Sequence, residues 1–284
     1  TEALSAIYPY AAAAAAAGVT LGTSVSMNYL LILYKVKGDN ITKSELAASP
    51  KPQKSGVVAK KLVMFAIPVV ASSLVFSITH FIDAITIQNR LEHMIVNNMD
   101  YIRNLYSVEL ANVLDADVKN FLYGAYSLSL DFKNLIPSIT MPLGISAIPA
   151  LSAAWAIKNK KQIKVSIESV LRVTMIIAMP CGIGMGVLAQ PILAAFYGSG
   201  NAAAGVSIAA PVMAVYGYSI FLMSLSQPMT NMLQALDRAK IPLISLSLGA
   251  IAKLVANYIL VAIPSINVNG AVIGTIICYA IIVI

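Results

Sequence analysis

Charged side chains are scarce in this sequence: 11% of its 284 residues are Asp, Glu, Lys or Arg, against 58% with apolar side chains. At a mean hydropathy of +0.80 the chain cannot hide its apolar side chains in one soluble core, so it needs lipid as a solvent. Cysteine is nearly absent too. Cys181 and Cys278 each stand alone in an apolar run, which leaves neither a disulfide framework nor a CxxC metal site. His80 and His93 sit in different surroundings with no second ligand at metal spacing, so no metal or other cofactor is expected. The chain offers no Ser, His and Asp grouping and no paired Glu pattern, which argues against hydrolytic chemistry. No strand precedes the Gly182, Gly184, Gly186 cluster, so it reads as helix packing rather than nucleotide binding.

Acids are scarcer than bases, 12 against 19, for a net charge of +7. The basic residues are mostly Lys in short loops without interleaved aromatics. That pattern fits the positive-inside rule of membrane proteins better than nucleic-acid binding. Crossing a hydrocarbon layer takes about 20 helical residues. Seven apolar segments follow one another, at 11–34, 62–87, 122–155, 170–196, 209–235, 241–263 and 270 to the end, the last too short to be a comfortable span. The fold class is therefore an all-α polytopic membrane bundle. The chain starts at Thr1 and stops at Ile284 inside an apolar run, and reads as a fragment; its Ala-rich start runs straight into a span and does not read as a signal peptide.

Loop charge gives the orientation. Residues 35–61 carry seven Lys (35, 37, 43, 51, 54, 60 and 61) against Asp39 and Glu45, and belong in the cytoplasm. Residues 88–121 hold five acids, Glu92, Asp100, Glu109, Asp115 and Asp117, against Arg90, Arg103 and Lys119, and belong outside. Lys158, Lys160, Lys161 and Lys164, then Arg238 and Lys240, mark further cytoplasmic turns, while loops 197–208 and 264–269 carry no charge. Ser49, Pro50, Pro52, Ser55 and Gly56 make 35–61 a flexible linker between two lobes. The apolar rhythm Leu91, Ile95, Met99, Ile102, Leu105, Tyr106 suits a helix on the outer surface, a connector rather than a substrate lid. Gly18, Gly22 and Ser26, Gly182 and Gly186, Ser245 and Gly249, and Gly270 and Gly274 have the four-residue spacing that lets helices approach closely in lipid. The long third segment holds Pro137, Pro142 and Pro149 and must bend; an inert kink and a hinge beside a cavity both fit.

Ionisable groups inside spans are costly, and each needs a partner, a wet cavity or a function. Asp83 and Arg90, seven residues apart on one helical face, are expected to form a structural ion pair. Asp131 and Lys133 point in different directions on their helix. Lys133 is a candidate for a ligand phosphate; snorkelling, or neutralisation by another helix, is the alternative for it and for Lys253. Asn134, Gln227, Asn231, Gln234 and Asn257 add amides in the same apolar surroundings, suited to interhelical bonds and equally to sugar recognition. The string Asp115, Ala116, Asp117 has the DxD form of a metal-dependent glycosyltransferase. It lacks a preceding strand, and reads as a helix terminus.

From Lys60 onward the chain resembles the lipid-linked oligosaccharide flippases of the MOP exporter superfamily. The branch is that of the stage V sporulation protein B and polysaccharide-biosynthesis exporters, related to MurJ-type lipid II flippases. The stretches that carry the resemblance are MFAIPVVASSLVFSITHFIDAITIQNRL (64–91), LYGAYSLSLDFKNLIPSITMPLGISAIPALSAA (122–154), VTMIIAMPCGIGMGVLAQPILAAFYG (173–198) and NMLQALDRAKIPLISLSLGAIAKLVANYILVAIPSINVNGAVIGTIICY (231–279). The resemblance implies a two-lobed, MATE-like transporter of the inner membrane. Residues 1–34 would be the last helix of the first lobe, 35–61 the cytoplasmic interlobe linker, and 62–284 a truncated second lobe. It implies a cationic cavity for the pyrophosphate of an undecaprenyl-linked sugar used in polysaccharide or peptidoglycan synthesis, a proton or sodium ion as coupling ion, and no enzymatic step. MurJ-type flippases carry an Arg in the helix matching 122–155; here that position falls near Ser129, with Lys133 one turn further on. Among the implied cavity residues are Lys133, Asp131, Asn134, Lys253, Asn257, Gln227 and Asn231. A cation-coupled drug antiporter of the same superfamily is the nearest rival, and a polytopic glycosyltransferase a more distant one.

Overall fold

The computed structural model describes residues 2–38 and 54–284. The chain divides into two compact units, Thr1–Val58 and Ala59–Ile284. The first contains α1 (Glu2–Lys37), whose described side chains from Ala16 on are almost all exposed, as expected of a helix that meets lipid. Asp39, Lys43, Glu45, Ser49, Pro50, Lys51 and Pro52 of the expected linker lie outside the described residues. Ser55, Gly56, Lys60 and Lys61, at the end of the expected linker, are helical and open α2 (Ser55–Asn97). At 43 residues α2 runs about 64 Å, about twice the thickness of a hydrocarbon core.

The second unit continues with α3 (Met99–Leu105), α4 (Val118–Lys133), α5 (Leu135–Ala156), α6 (Lys160–Val187), α7 (Ala189–Tyr197), α8 (Ala203–Ala235), α9 (Lys240–Leu260) and α10 (Asn269–Val283). The described residues contain six helical stretches long and apolar enough to cross a membrane, and α10 is a shorter seventh apolar helix. Two of the expected spans are broken, and proline explains both breaks. A proline has no N–H for the carbonyl four residues before it, and its ring presses on that carbonyl. Pro137 frees the carbonyl of Lys133, and α4 ends there; Pro191 frees that of Val187, and α6 ends there. Each proline then sits in the first turn of the next helix, where no donor is needed.

Helix α8 is the hub. It is apolar or small around most of its circumference, as a helix buried on all sides must be, and it packs against α4, α5, α6, α7 and α10. Its contact with α6 is backbone to backbone at Gly217, where an added Cβ would lie 2.7 Å from the Gly182 carbonyl oxygen and 2.8 Å from Gly186 Cα. Gly249, Gly270 and Gly274 are also closely approached, by Cys278, Leu260 and Asn257 respectively, whereas Gly18, Gly22 and Gly184 have open space.

The 91–106 rhythm is part of the core: Leu91, Ile95 and Ile102 are fully or nearly fully buried and join Leu122, Tyr126, Tyr216 and Val272 in one cluster. Leu105 is exposed. After α3, Arg103 gathers the returning loop. Its Nε donates to Asp115 at 2.8 Å, and its terminal nitrogens donate to the Leu110 and Val113 carbonyls at 3.2 and 2.8 Å and also to Asp115. Asp115 is thus bound to an arginine in a single turn of 3-10 helix (Asp115–Asp117), and no group of three metal-ligating side chains exists among the described residues. Removal of the guanidinium leaves two carbonyls and a carboxylate to water. Arg103→Ala is expected to speed limited proteolysis between 106 and 117 several-fold, and Asp115→Ala to do so less, since the carbonyl contacts survive.

Candidate functional site

The break at Asn134 puts a buried ammonium group at a helix end. Lys133 is 5% exposed, and its Nζ lies over the Tyr216 ring, 5.3 Å from the centroid. Among the described residues no carboxylate is within ion-pair distance of it. Tyr216 is fully buried and its hydroxyl meets that of Tyr126 at 2.9 Å, so the ring under Lys133 is held in place. A cation over an aromatic face is stabilised by about 0.5–2 kcal/mol, less than a full counter-charge supplies. Lys133 is therefore a desolvated cation with capacity left for an anion.

Lys253 is the opposite case. It is 4% exposed, and its Nζ forms a salt bridge with Asp83, which is itself buried on α2. Asn257, one turn along α9 from Lys253, donates its Nδ2 to the other carboxylate oxygen. The expected Asp83–Arg90 pair is thereby corrected: Asp83 pairs with Lys253, and Arg90 donates to the Tyr258 carbonyl at 3.1 Å while stacking 4.2 Å from the centre of its ring. The reason is distance. Two turns of helix separate Asp83 from Arg90 by about 10 Å, while α9 brings partners within reach of both. Lys253, Asn257 and Asp83 join α2 to α9 and line a cavity of about 290 Å3 between them.

The remaining candidates divide in the same way. Asp131 is exposed and accepts from the Tyr197 hydroxyl at 2.9 Å, facing α7 while Lys133 faces α8. Asn231 is partly buried beside Gly144, and its Nδ2 has no hydrogen-bond partner. Asn134 and Gln227 come together on the wall of a cavity of about 330 Å3, with Phe76, His80, Ser138 and Tyr279. Gln234 lines a separate depression with Asp237. Sequence reasoning missed His80, weighed only as a metal ligand, together with Tyr216 and Tyr279. Phe76, one turn before His80, packs edge-on to its ring and shares the cavity wall with it.

Lys133, without an ion-pair partner among the described residues, directly precedes Asn134 on the wall of a cavity that offers amides and hydroxyls. The family model of the lipid II flippase MurJ matches residues 87–284. This chain belongs to the MurJ lipid II flippase family. It is 21% identical to stage V sporulation protein B of Bacillus subtilis (strain 168) over 262 residues, 92% of this chain and 46% of that protein. It is 25% identical to lipid II flippase MurJ of the same organism over 146 residues, 51% of this chain and 26% of that protein. An uncharacterized membrane protein of that organism, YabM, is 24% identical over 268 residues, 93% of this chain and 44% of its own length. The chain spans less than half the length of each of these relatives. No solved structure matches it. Membership of the MurJ family and the six spanning helices make it a multi-pass protein of the bacterial inner membrane, in a family of flippases rather than of catalytic enzymes.

Proposed function

We propose that this member of the MurJ family is part of a flippase that moves a lipid-linked sugar precursor for the cell envelope across the inner membrane. The observation that carries the proposal is Lys133: buried, seated on Tyr216 at a helix break, and without a counter-ion among the described residues. In this reading the diphosphate of the precursor supplies the missing charge, and Asn134, Gln227 and Ser138 in the adjoining cavity meet sugar hydroxyls. Asp131 and Asn231 belong to the margin of the site. Lys253 and Asn257 hold the wall in place. In the same reading, residues 62–284 form the second lobe, 1–34 the last helix of the first, and the Lys-rich 35–61 their cytoplasmic link. A cation antiporter would need an open carboxylate in a span. Asp83 is occupied by Lys253, and the matching family model is that of a lipid II flippase, which favours the flippase reading.

The test is flipping of a fluorescent undecaprenyl-diphosphate sugar in proteoliposomes by the full-length protein. Lys133→Ala is expected to slow flipping at least about tenfold at equal insertion, since one desolvated charge contact is lost. Flipping at the wild-type rate by the variant removes Lys133 from the site. No flipping by well-folded wild type rejects the substrate class.

A further inference from the structure

His80 stands where the charge count of the site is incomplete. It is exposed on the wall of the cavity that Asn134, Ser138 and Gln227 also line, and it borders a smaller cavity with Lys253, Cys278 and Tyr279. Phe76 holds its ring edge-on, with centroids 4.6 Å apart. The charged groups that act on it are Lys133 from α4, Lys253 from α9 and Asp83 from its own helix; Tyr279 and Cys278 of α10 are the neutral titratable neighbours. Lys253 and Asp83 are paired with each other, so Lys133 is the buried ammonium group without an ion-pair partner among the described residues. A diphosphate joining a lipid to a sugar keeps one ionised oxygen on each phosphate throughout the neutral range. One ammonium group offsets half of that.

We infer that His80 is the second, titratable cation of this site, and that its imidazole takes up one proton from water as the diphosphate enters the cavity. The inference rests on the flippase reading and adds to it a regulation: loading is linked to proton uptake, so the site binds more tightly in acid. Imidazole is the side chain suited to this, because it gains and loses its charge near physiological pH. An anion beside it favours the charged form, which makes that form dependent on the ligand. When the ligand leaves, the proton leaves with it, and the empty cavity returns to the single charge of Lys133.

The test measures the half-saturating concentration of the fluorescent lipid-linked diphosphate sugar in proteoliposomes at about pH 5.5 and about pH 8, either side of an ordinary imidazole. Wild type is expected to bind about tenfold more tightly at the lower pH. His80→Gln should show the weaker value at both, and His80→Lys, with a fixed charge, the tighter value at both. Lys133→Ala should weaken binding at both while keeping the ratio between them. Wild type that flips with no pH ratio, or His80→Gln that keeps the wild-type ratio, overturns the inference and leaves the flippase reading intact. Wild type that does not flip at either pH overturns both. If the His80 variants fail to insert, a pH dye in weakly buffered wild-type vesicles decides: about one proton taken up per ligand bound supports the inference, and none overturns it.

Discussion

Lys253→Met is expected to lower the stability of the bundle by about 3–5 kcal/mol, because it strands the Asp83 carboxylate in a buried site with Asn257 as its remaining donor. Asp83→Asn should cost a similar amount by leaving an ammonium group without its counter-charge. The double variant Asp83→Asn, Lys253→Met should recover at least half of the loss. It buries no charge, and the new Asn can still accept from Asn257. Cys278 is buried and supplies the readout: its reaction with a thiol-sensitive dye during heating in detergent follows the opening of the α9 and α10 contact. Single variants that unfold with wild type would show that Asp83 and Lys253 do not clamp α2 to α9. A double variant no better than either single would show that volume rather than charge is at stake.

Gly217→Leu is expected to prevent α6 and α8 from packing altogether. Even a methyl group at this position would meet backbone atoms at 2.7, 2.8 and 2.9 Å, and backbone in a helix cannot swing aside as a side-chain tip can. Gly217→Ala should already destabilise by about 1–3 kcal/mol, with the larger residue yielding aggregated or degraded protein. Gly184→Ala is the matched control. It lies between Gly182 and Gly186 on α6 but faces open space, so monodispersity in detergent and the unfolding midpoint should stay at wild-type values. Equal damage from the two alanine variants would mean that glycine serves α6 and α8 through flexibility rather than close approach.

The contrast between Gly217 and Gly182 also marks how far the sequence could be read. Apolar runs are set by bilayer thickness, so the spans were legible one at a time, and the third segment was legible as bent because proline acts on its own helix. Gly182 and Gly186 announce themselves by spacing. Gly217 has no small residue four positions away that completes a pair in the same way, and only the crossing of α6 over α8 gives it a role. Lys133 stood out, with Asp131, as a charge in an apolar segment. The choice of partner for Asp83 did not, because it is made between helices 170 residues apart and depends on how α2 lies against α9. The four-residue spacing of Lys253 and Asn257 was the signal available: two polar groups on one face of a span point to something polar opposite. His80 carried no such signal, since an exposed cavity wall and a lipid-facing surface look alike along one helix.

The placing of Asp83 along α2 has a mechanical consequence. Of the fully buried residues of α2, Ser72 lies before Asp83, while Ile87, Leu91, Met94 and Ile95 follow it, so the helix is rooted at one end and largely bare at the other. From Asp83 back to Lys60 the bare length is about 35 Å at about 1.5 Å per residue. A tilt of about ten degrees about the Asp83 clamp would carry Lys60 through about 6 Å and Ile95, on the rooted arm, through about 3 Å. The ion pair then works as a fulcrum, and the long arm turns a small rotation at one end into a large displacement at the other.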